Sequence, residues 1–331
     1  MITKLRLKNW KSFKDSTVYI DPLTILIGVN ASGKSNVLDA LDFVKKWLTA
    51  KDSNASDVLE SIRGGKNWLI KRGEKRCDLE ITVEINNKQV VYNLGTDGET
   101  IQRSTYGALS EIIDDALIEL QSIFVFNPVP EKMRGYSPVS NELKPDGSNI
   151  AGVIASLPKD EKEKLEAELT KYVSPLPEKD IRKIQSVTVG LNNSDAMLYC
   201  YEEWNPDKPI DARGMSDGTL RFAAIVLALL TAKPHSLLVI EEIDNGLHPS
   251  RAKELVKVMK ELSQKRSVDI LCTTHNPVLI NELGNEMIPF ISYVKRDSEG
   301  NSVIELLEEK DNLAKLMASS TIGGIMTEDK L

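Results

Sequence analysis

The sequence has only three cysteines in 331 residues, namely Cys77, Cys200 and Cys272. They are far apart and odd in number, and no two have the spacing of metal ligands. The sequence therefore argues against a disulfide framework and against a cysteine-based metal site. We expect three buried free thiols, because unpaired cysteine behaves as a small hydrophobic residue.

Long hydrophobic runs are also missing. The longest strongly apolar run, from Phe222 to Ala232, has eleven residues, whereas a membrane-spanning helix needs about 18. The N-terminus lacks the apolar core and small-residue cleavage site of a signal peptide. We therefore expect a cytoplasmic protein with no membrane partner.

Positive charge is in deficit, with 42 Lys and Arg against 49 Asp and Glu and a net charge of −7. This balance does not favour a nucleic-acid-binding protein, but it leaves room for a local basic patch. A candidate polyanion site, with a solvated face as the alternative, is formed by Lys66, Lys71, Arg72, Lys75 and Arg76.

Buried apolar runs alternate with helical periodicity along the chain, which predicts an α/β fold with a mixed, mostly parallel sheet. Alternation at 2–8 and a hairpin at 78–94 predict an N-terminal antiparallel β-subdomain. Further strands are predicted at 16–20, 23–27, 123–126, 185–191, 197–203, 236–240, 269–274, 288–294 and 302–307. Helices are predicted at 34–49, 109–120, 158–172, 220–232 and 250–264. A loop or weak helix is predicted at 51–75 and a loop at 131–148.

These elements predict one domain over residues 1–331. Its core would comprise 1–50 and 185–295, with an inserted β/helical lobe at about 51–184. The C-terminal strands and a tail would occupy 296–331.

A glycine loop joins the strand at 23–27 to the helix at 34–49. It reads Gly28-Val-Asn-Ala-Ser-Gly-Lys-Ser35 and fits G-x-x-x-x-G-K-[ST] at every fixed position. Such a loop points backbone N–H groups at phosphate oxygens, and the helix presents its positive end to the same anion. Lys34 can reach the β- and γ-phosphates and the Ser35 hydroxyl can ligate Mg²⁺, unless the loop is only a glycine-rich turn. The predicted phosphate-binding residues are Gly28, Asn30, Ala31, Ser32, Gly33, Lys34 and Ser35.

Two acids, Glu241 and Glu242, follow the buried strand at 236–240. This places their carboxylates at the edge of the sheet where α/β proteins bind ligands. Adjacent buried acids repel each other without a cation, which Mg²⁺ would supply. Because successive side chains point apart, we assign Glu241 to Mg²⁺ and Glu242 to polarising the attacking water, with an exposed strand end as the alternative.

His275 ends the next buried strand, at 269–274, on the same predicted edge. A histidine there can donate a hydrogen bond to a γ-phosphate. The alternative is a structural or surface histidine. His248, next to Pro249, is better explained as an interface or helix-start residue than as a catalytic one.

Four segments follow one another along the chain, namely the glycine loop, Met215-Ser-Asp-Gly-Thr, Glu241-Glu242 and His275. Their order resembles that of the corresponding segments in the ABC-type ATPases, in particular in their RecF/SMC/OLD branch. The opening Leu5-Arg-Leu-Lys-Asn-Trp-Lys-Ser-Phe and the Asn36 after Gly-Lys-Ser are similar to that branch. So is the segment Glu242-Ile-Asp-Asn-Gly-Leu-His-Pro. The resemblance covers roughly residues 1–50 and 210–285.

The resemblance implies a P-loop ATPase of the ABC/RecF type that uses ATP and Mg²⁺. Ser216 and Gly218 would contact the γ-phosphate bound by another protomer, and Asp244 would lie in the segment that crosses the dimer interface. The active form would be a homodimer or a larger even assembly with ATP sandwiched between two chains. Asn36 would line the nucleotide.

Other assignments from the resemblance are left open. Lys11 and Ser12 are candidates to line the nucleotide, with an exposed strand-end lysine as the alternative. Gln121 is the candidate Q-loop glutamine, with a plain surface glutamine as the alternative. The signature loop reads Ser-Asp-Gly-Thr rather than Ser-Gly-Gly-Gln, so Asp217 must point away from phosphate or pair with a cation.

Two roles for the ATPase follow from the resemblance. The first is a sensor or regulatory ATPase of a bacterial anti-phage defence system that controls a separate effector protein, since 56 residues after His275 leave little room for a nuclease domain. The second is a RecF-like repair clamp whose ATP-closed dimer holds DNA. A transporter subunit is the least favoured, because both the N-terminal segment and the signature loop argue against it.

Overall fold

The structure is a computed structural model that describes residues 1–49, 55–107, 110–176, 181–311, 313–318 and 320–327. It confirms the predicted α/β class with a mixed sheet. Within these residues, no helix is both long and apolar enough to cross a lipid bilayer.

The strands are β1 (Ile2–Lys8), β2 (Asp15–Tyr19), β3 (Leu23–Ile27), β4 (Cys77–Ile85), β5 (Lys88–Thr96), β6 (Ile101–Tyr106), β7 (Phe124–Phe126), β8 (Ser137–Pro138), β9 (Ile181–Val189), β10 (Asp195–Glu202), β11 (Asn205–Asp211), β12 (Leu237–Ile240), β13 (Asp269–Thr274), β14 (Ile291–Arg296) and β15 (Ser302–Leu306). The α-helices are α1 (Lys34–Thr49), α2 (Ala55–Glu60), α3 (Ser110–Gln121), α4 (Pro130–Met133), α5 (Ile150–Ala155), α6 (Lys159–Val173), α7 (Asp217–Thr231), α8 (Pro249–Arg266), α9 (Pro277–Leu283), α10 (Leu313–Met317) and α11 (Ile322–Thr327).

The chain divides into two compact units. Unit 1 comprises residues 1–125, 233–243 and 267–331, and unit 2 comprises 126–232 and 244–266. The region predicted as an inserted lobe is therefore shared, because its first part belongs to unit 1 and its second part to unit 2. The prediction that the whole chain acts as one domain stays a prediction.

Unit 1 is built around a six-stranded sheet in the order β15-β14-β3-β13-β12-β7. Strands β14, β3, β13 and β12 run parallel, and β15 is antiparallel to β14. All five residues of β3 and all four of β12 are buried, as expected for parallel strands that are covered on both faces. The loops after β3, β12 and β13 consequently share one sheet edge.

A second sheet of unit 1, in the order β2-β1-β4-β5-β6, is antiparallel throughout. Its inner residues pack against α1 in one core, where Trp10 and Phe43 are fully buried with ring centroids 5.5 Å apart. Burial of such side chains stabilises each by roughly 2–3 kcal/mol. The predicted N-terminal antiparallel subdomain is thus present, and it fixes the start of α1.

Unit 2 contains an antiparallel sheet in which β10 pairs with β9, β11 and β8. Helix α7 is buried along nearly its whole length, which accounts for the apolar run from Phe222 to Leu230 within it. Helix α6 is tied to α8 by the hydrogen bond from the Tyr172 hydroxyl to Glu261, at 2.8 Å.

Several predicted elements need correction. The segment predicted as loop at 131–148 contains most of α4 and all of β8. The strand predicted at 288–294 runs over Ile291–Arg296, because Pro289, which has no N–H group, lies in a preceding 3₁₀ turn. The start of the helix predicted at 109–120 falls on a residue outside the described part. Elements that were not predicted are β6, β11, α5, α9, α10 and α11.

Candidate functional site

The phosphate loop follows β3 and has the backbone that its sequence predicts. Gly28 and Gly33 have φ of 150° and 120°, and Ala31 has φ of 62°. A Cβ atom on Gly28 would lie 2.2 Å from the carbonyl oxygen of Val294. Only glycine is compatible with this position, because both the dihedral angle and the close backbone approach exclude a side chain.

A group of β14–β15 residues, which we call the hairpin latch (Val294, Arg296 and Ser302), contacts the phosphate loop. Arg296 donates from Nε and Nη2 to the Ala31 carbonyl, at 3.1 and 2.9 Å. The Ser302 hydroxyl lies within hydrogen-bond distance of both the Ser32 carbonyl oxygen and Ser12 Oγ. These contacts hold a loop whose unusual dihedral angles would otherwise be costly.

The β1–β2 turn supports the start of α1. Asn36 Nδ2 donates to Ser12 Oγ at 2.7 Å, and Trp10 Nε1 donates to the Asn36 carbonyl at 2.8 Å. The structure therefore brings Ser12 and Asn36 together beside the phosphate loop. Asn30 and Ala31 are exposed at the tip of the loop, while Ser32 is buried.

Lys34 is buried and folds back on its own loop, donating to the carbonyls of Gly28 and Val29 at 2.7 and 2.9 Å. Burial lowers its pKa, and the nearby Glu242 and Glu241 carboxylates oppose that shift. Such an ammonium gains a stronger partner when an anion enters the loop.

Ser32 Oγ is buried and has no hydrogen-bond partner in the described part of the chain. A buried hydroxyl without a partner is rare and calls for a missing ligand. Together with the curled backbone and the Lys34 ammonium, it fits a bound phosphate group.

Glu241 lies beside Ser35, as predicted, but it also has a partner that was not predicted. Arg63 forms a bidentate ion pair with it, with Nη1 and Nη2 at 3.2 and 2.9 Å from the two carboxylate oxygens. Burial acts to raise the pKa of Glu241, but hydrogen bonds from Arg63 and Ser35 outweigh it, so the pKa is lowered. The carboxylate is thus held in the charged form.

A Mg²⁺ ion fits the donor set of Ser35 and Glu241. Mg²⁺ prefers oxygen ligands and is held by one or two carboxylates together with substrate phosphates and water. Among the described residues, no three His, Cys, Asp or Glu side chains come together as a metal site, so the nucleotide would have to supply further ligands.

Lys11 is not the exposed strand-end lysine that was the alternative. Its ammonium lies 2.6 Å from Asp39 of α1, and both side chains are only 8% exposed. Burial raises the pKa of Asp39, while Lys11 and Arg63 act to lower it. Lys11 also donates to the Arg63 carbonyl at 2.8 Å, so it supports the residue that contacts Glu241.

Glu242 has a strained backbone, with φ of 49°, a region that non-glycine residues rarely occupy and that is concentrated at functional sites. Its N–H donates to Thr273 Oγ1 at 2.9 Å, and the next N–H, of Ile243, donates to the Thr273 carbonyl at 3.0 Å. These two bonds to the adjacent strand hold the residue in place.

His275 directly follows β13 and lies next to Glu242, with 3.4 Å between Nδ1 and the Glu242 carboxylate. His275 Nδ1 is buried and makes no hydrogen bond within the described chain. The predicted trio of phosphate loop, acidic pair and histidine is therefore assembled at one sheet edge of unit 1.

The signature loop belongs to unit 2. Ser216 is the N-cap of α7, and its hydroxyl accepts a hydrogen bond from the Thr219 N–H at 3.1 Å. Arg251 of α8 donates to Thr219 Oγ1 at 3.1 Å, and a Cβ atom on Gly218 would lie 3.1 Å from Arg251 Nη1. The exposed Ser216 and the amino end of α7 form a second place where an anion can bind.

Asp217 pairs with a cation, as predicted. The partner is Arg134, whose Nη2 donates to Asp217 Oδ1. No pattern in the sequence pointed to Arg134 or to Arg63, because each acts through the fold rather than through a motif. Asp244 is buried at the start of a turn, and its place at a dimer interface stays a prediction.

The remaining candidates lie away from this chemistry. Gln121 donates to the Leu48 carbonyl near the end of α1, about 20 Å along the helix from Ser35, so the structure does not bring it to the phosphate loop. His248 Nδ1 lies 2.8 Å from Ser250 Oγ at the start of α8, which is the predicted helix-start role. In the basic stretch, Arg76 pairs with Asp78 at 3.0 Å.

Comparison with known proteins agrees with this geometry. Residues 126–281 match the family described as "AAA domain, putative AbiEii toxin, Type IV TA system", and residues 1–97 match the family described as "AAA ATPase domain". An ATP/GTP phosphatase of Helicobacter pylori is 22% identical, over 86% of this chain and 87% of that protein. The OLD nuclease of Thermus scotoductus is 21% identical, over 95% of this chain and 66% of that protein.

A solved SMC head, bound to the C-winged helix domain of ScpA, has the same fold, with a TM-score of 0.64 and 18% identity over 92% of this chain and 97% of that chain. Fold and phosphate loop together define a P-loop ATPase. Over residues 1–97 and 126–281 the chain matches ATPase families, and it is an enzyme that hydrolyses ATP.

Proposed function

We propose that this ATPase works as an ATP-sandwich dimer that switches a separate effector protein in a bacterial anti-phage defence system. The observation that carries the dimer is the presence of two anion sites, the phosphate loop of unit 1 and the amino end of α7 in unit 2. In the branch that the sequence resembles, the second site faces the nucleotide of another protomer. A homodimer or a larger even assembly would complete both sites.

The chain's own residues support the chemistry. Lys34 and the loop N–H groups bind the β- and γ-phosphates, and Glu242 orients the attacking water. His275 donates to the γ-phosphate, and Ser216 and Gly218 of a second chain bind it from the other side. When bound, Mg²⁺ held by Ser35 and Glu241 would neutralise charge on the phosphates.

The experiment that tests this site uses Glu242→Gln and Lys34→Ala. Glu242→Gln removes the group that orients water, so turnover falls by about 10²–10⁴-fold while ATP still binds. With ATP and Mg²⁺ it should accumulate as a dimer of twice the 36.8 kDa chain mass, measured by light scattering after size-exclusion chromatography. Lys34→Ala should abolish ATP binding.

Matched controls are Glu254→Gln, an exposed acid on α8 paired with Lys257, and Lys46→Ala, on α1 and paired with Asp42. Both should behave like the wild type. If the Glu242→Gln protein hydrolyses ATP at the wild-type rate, the proposed site is contradicted. If it stays monomeric with ATP, the proposed dimer is contradicted.

The defence role is supported by the family description that includes AbiEii and by the similarity to an OLD nuclease. The alternative, a RecF-like DNA clamp, is favoured by the SMC head fold and by the exposed Arg72, which lies 4.9 Å from the ring of Trp68. The two differ in one measurement, the anisotropy of a fluorescent duplex DNA with Glu242→Gln and ATP. An affinity for DNA that requires ATP would favour the clamp, provided that it falls by roughly 10³-fold or more between 50 and 200 mM salt.

A further inference from the structure

Arg134 lies at the end of α4 and makes an unusual set of contacts with the signature loop. Its Nη1 atom is within 2.8–3.1 Å of three carbonyl oxygens of that loop, those of Ala212, Arg213 and Met215. Its Nη2 atom donates to Asp217. One guanidinium therefore ties together the residues that lead up to Ser216.

The base of this side chain is itself fixed. Helix α4 begins at Pro130, which sets the backbone of its first turn. Two residues before α4, the Pro128 carbonyl accepts a hydrogen bond at 2.8 Å from Arg221, a buried residue of α7. The α4 segment and α7 are thus joined at two points, Asp217 and Arg221.

Asp217 occupies the first position of α7, where a carboxylate interacts favourably with the helix dipole. The same position is beside the site where an anion would bind, and the negative charge of the Asp217 carboxylate would repel that anion. Asp217 is 65% exposed, whereas Arg134 is 28% exposed. The guanidinium therefore cancels this charge from the protein side and leaves the approach to Ser216 open.

We propose that Arg134 is a positioning residue for ATP hydrolysis, which shapes the signature loop and neutralises Asp217 so that the loop can receive the γ-phosphate held by another chain. The inference rests on the proposed ATP-sandwich dimer. It predicts that Arg134 affects turnover by the dimer but not the affinity of each chain for its own nucleotide.

The test compares Arg134→Ala with Lys132→Ala, a nearby exposed cation on α4 that pairs with Asp146 at 3.1 Å. Loss of charged hydrogen bonds to the loop should lower kcat of Arg134→Ala by on the order of ten- to a hundredfold. Its affinity for a fluorescent ATP analogue, measured at chain concentrations below dimerisation, should stay within about twofold of the wild type. Lys132→Ala should leave both quantities unchanged.

A second change separates a charge effect from a folding defect. In the Arg134→Ala background, Asp217→Asn removes the exposed charge and should restore part of the lost kcat, by roughly threefold or more, although it adds no contact to the loop. If Arg134→Ala does not fold, as judged by its circular dichroism, Arg134→Gln removes the charge and takes its place in the comparison.

The outcomes are distinct. Three results would overturn the role of Arg134 while the dimer stands. They are a kcat for Arg134→Ala equal to that of Lys132→Ala, a fall in nucleotide affinity that parallels the fall in kcat, and a kcat that Asp217→Asn does not restore. A wild-type protein whose specific activity does not rise with chain concentration, together with an unaltered Ser216→Ala variant, overturns the dimer and the inference with it.

Discussion

Replacing Gly28 by alanine tests how far the phosphate loop depends on its backbone. The new Cβ atom would lie 2.2 Å from the Val294 carbonyl oxygen, so β14 would have to retreat by about 1.3 Å to reach an ordinary contact. That strand pairs with β3 immediately before this point, through Tyr293 and Ile27. The movement therefore disturbs a buried sheet rather than a flexible side chain.

The expected cost combines two effects. A non-glycine residue at this φ costs about 1–3 kcal/mol, and the overlap adds roughly 1–3 kcal/mol as in other overpacked sites. Unit 1 holds about 200 residues, so its unfolding entropy is near 0.4 kcal/mol/K, and a loss of ~2–6 kcal/mol lowers Tm by ~5–14 °C.

Gly73→Ala is the matched control. Gly73 also has positive φ, at 90°, but no atom lies within 4 Å of its added Cβ, so only the dihedral cost of about 1–2 kcal/mol applies. Calorimetry would give the two Tm values, and a fluorescent ATP analogue would show loss of binding for Gly28→Ala alone. Equal Tm shifts for the two variants would refute the reasoning from the close approach.

Three further changes give equally specific outcomes. Burial raises the pKa of Asp269 to about 7 in the folded chain, whereas the pKa in the unfolded chain is near 4. Between these values the folded chain binds a proton that the unfolded chain lacks. The free energy of unfolding should therefore fall by up to ~4 kcal/mol as the pH rises from about 4 to 7. Urea unfolding from pH 4 to 8 should show this slope, and Asp269→Asn should flatten it. Thr273→Val removes the acceptor of the Glu242 N–H hydrogen bond, so kcat should fall about tenfold or more while ATP affinity is retained. A kcat equal to that of the wild type would contradict the role of Thr273 in holding Glu242. Gly218→Ala places a Cβ 3.1 Å from Arg251 and should weaken ATP-dependent dimerisation of the Glu242→Gln protein, measured by light scattering.

The strands that carry chemistry could be predicted because they are short, rich in apolar residues, and followed at once by glycine, glutamate or histidine. β3, β12 and β13 are such strands, and the edge they share follows from their being parallel. β11 escaped prediction because Pro206 and Pro209 interrupt its pattern, as is tolerated only at a sheet edge. α9 has seven residues, too few for helical periodicity to show.

Motif residues of the site could be predicted as well, but their partners could not. Lys34, Glu241 and Glu242 stand in recognisable local patterns. Arg63 reaches Glu241 across 178 positions and Arg134 reaches Asp217 across 83, and nothing in the neighbourhood of either arginine signals a partner. Long-range ion pairs are a product of the fold, so a single sequence does not reveal them.

The hairpin latch has a consequence for how the protein is made. Arg296 and Ser302 hold Ala31 and Ser32 from 265 and 270 positions away. During synthesis the phosphate loop therefore leaves the ribosome well before these two partners do, and the contacts with them form only after Arg296 and Ser302 have emerged. A nascent chain should accordingly acquire its full nucleotide affinity only after that point.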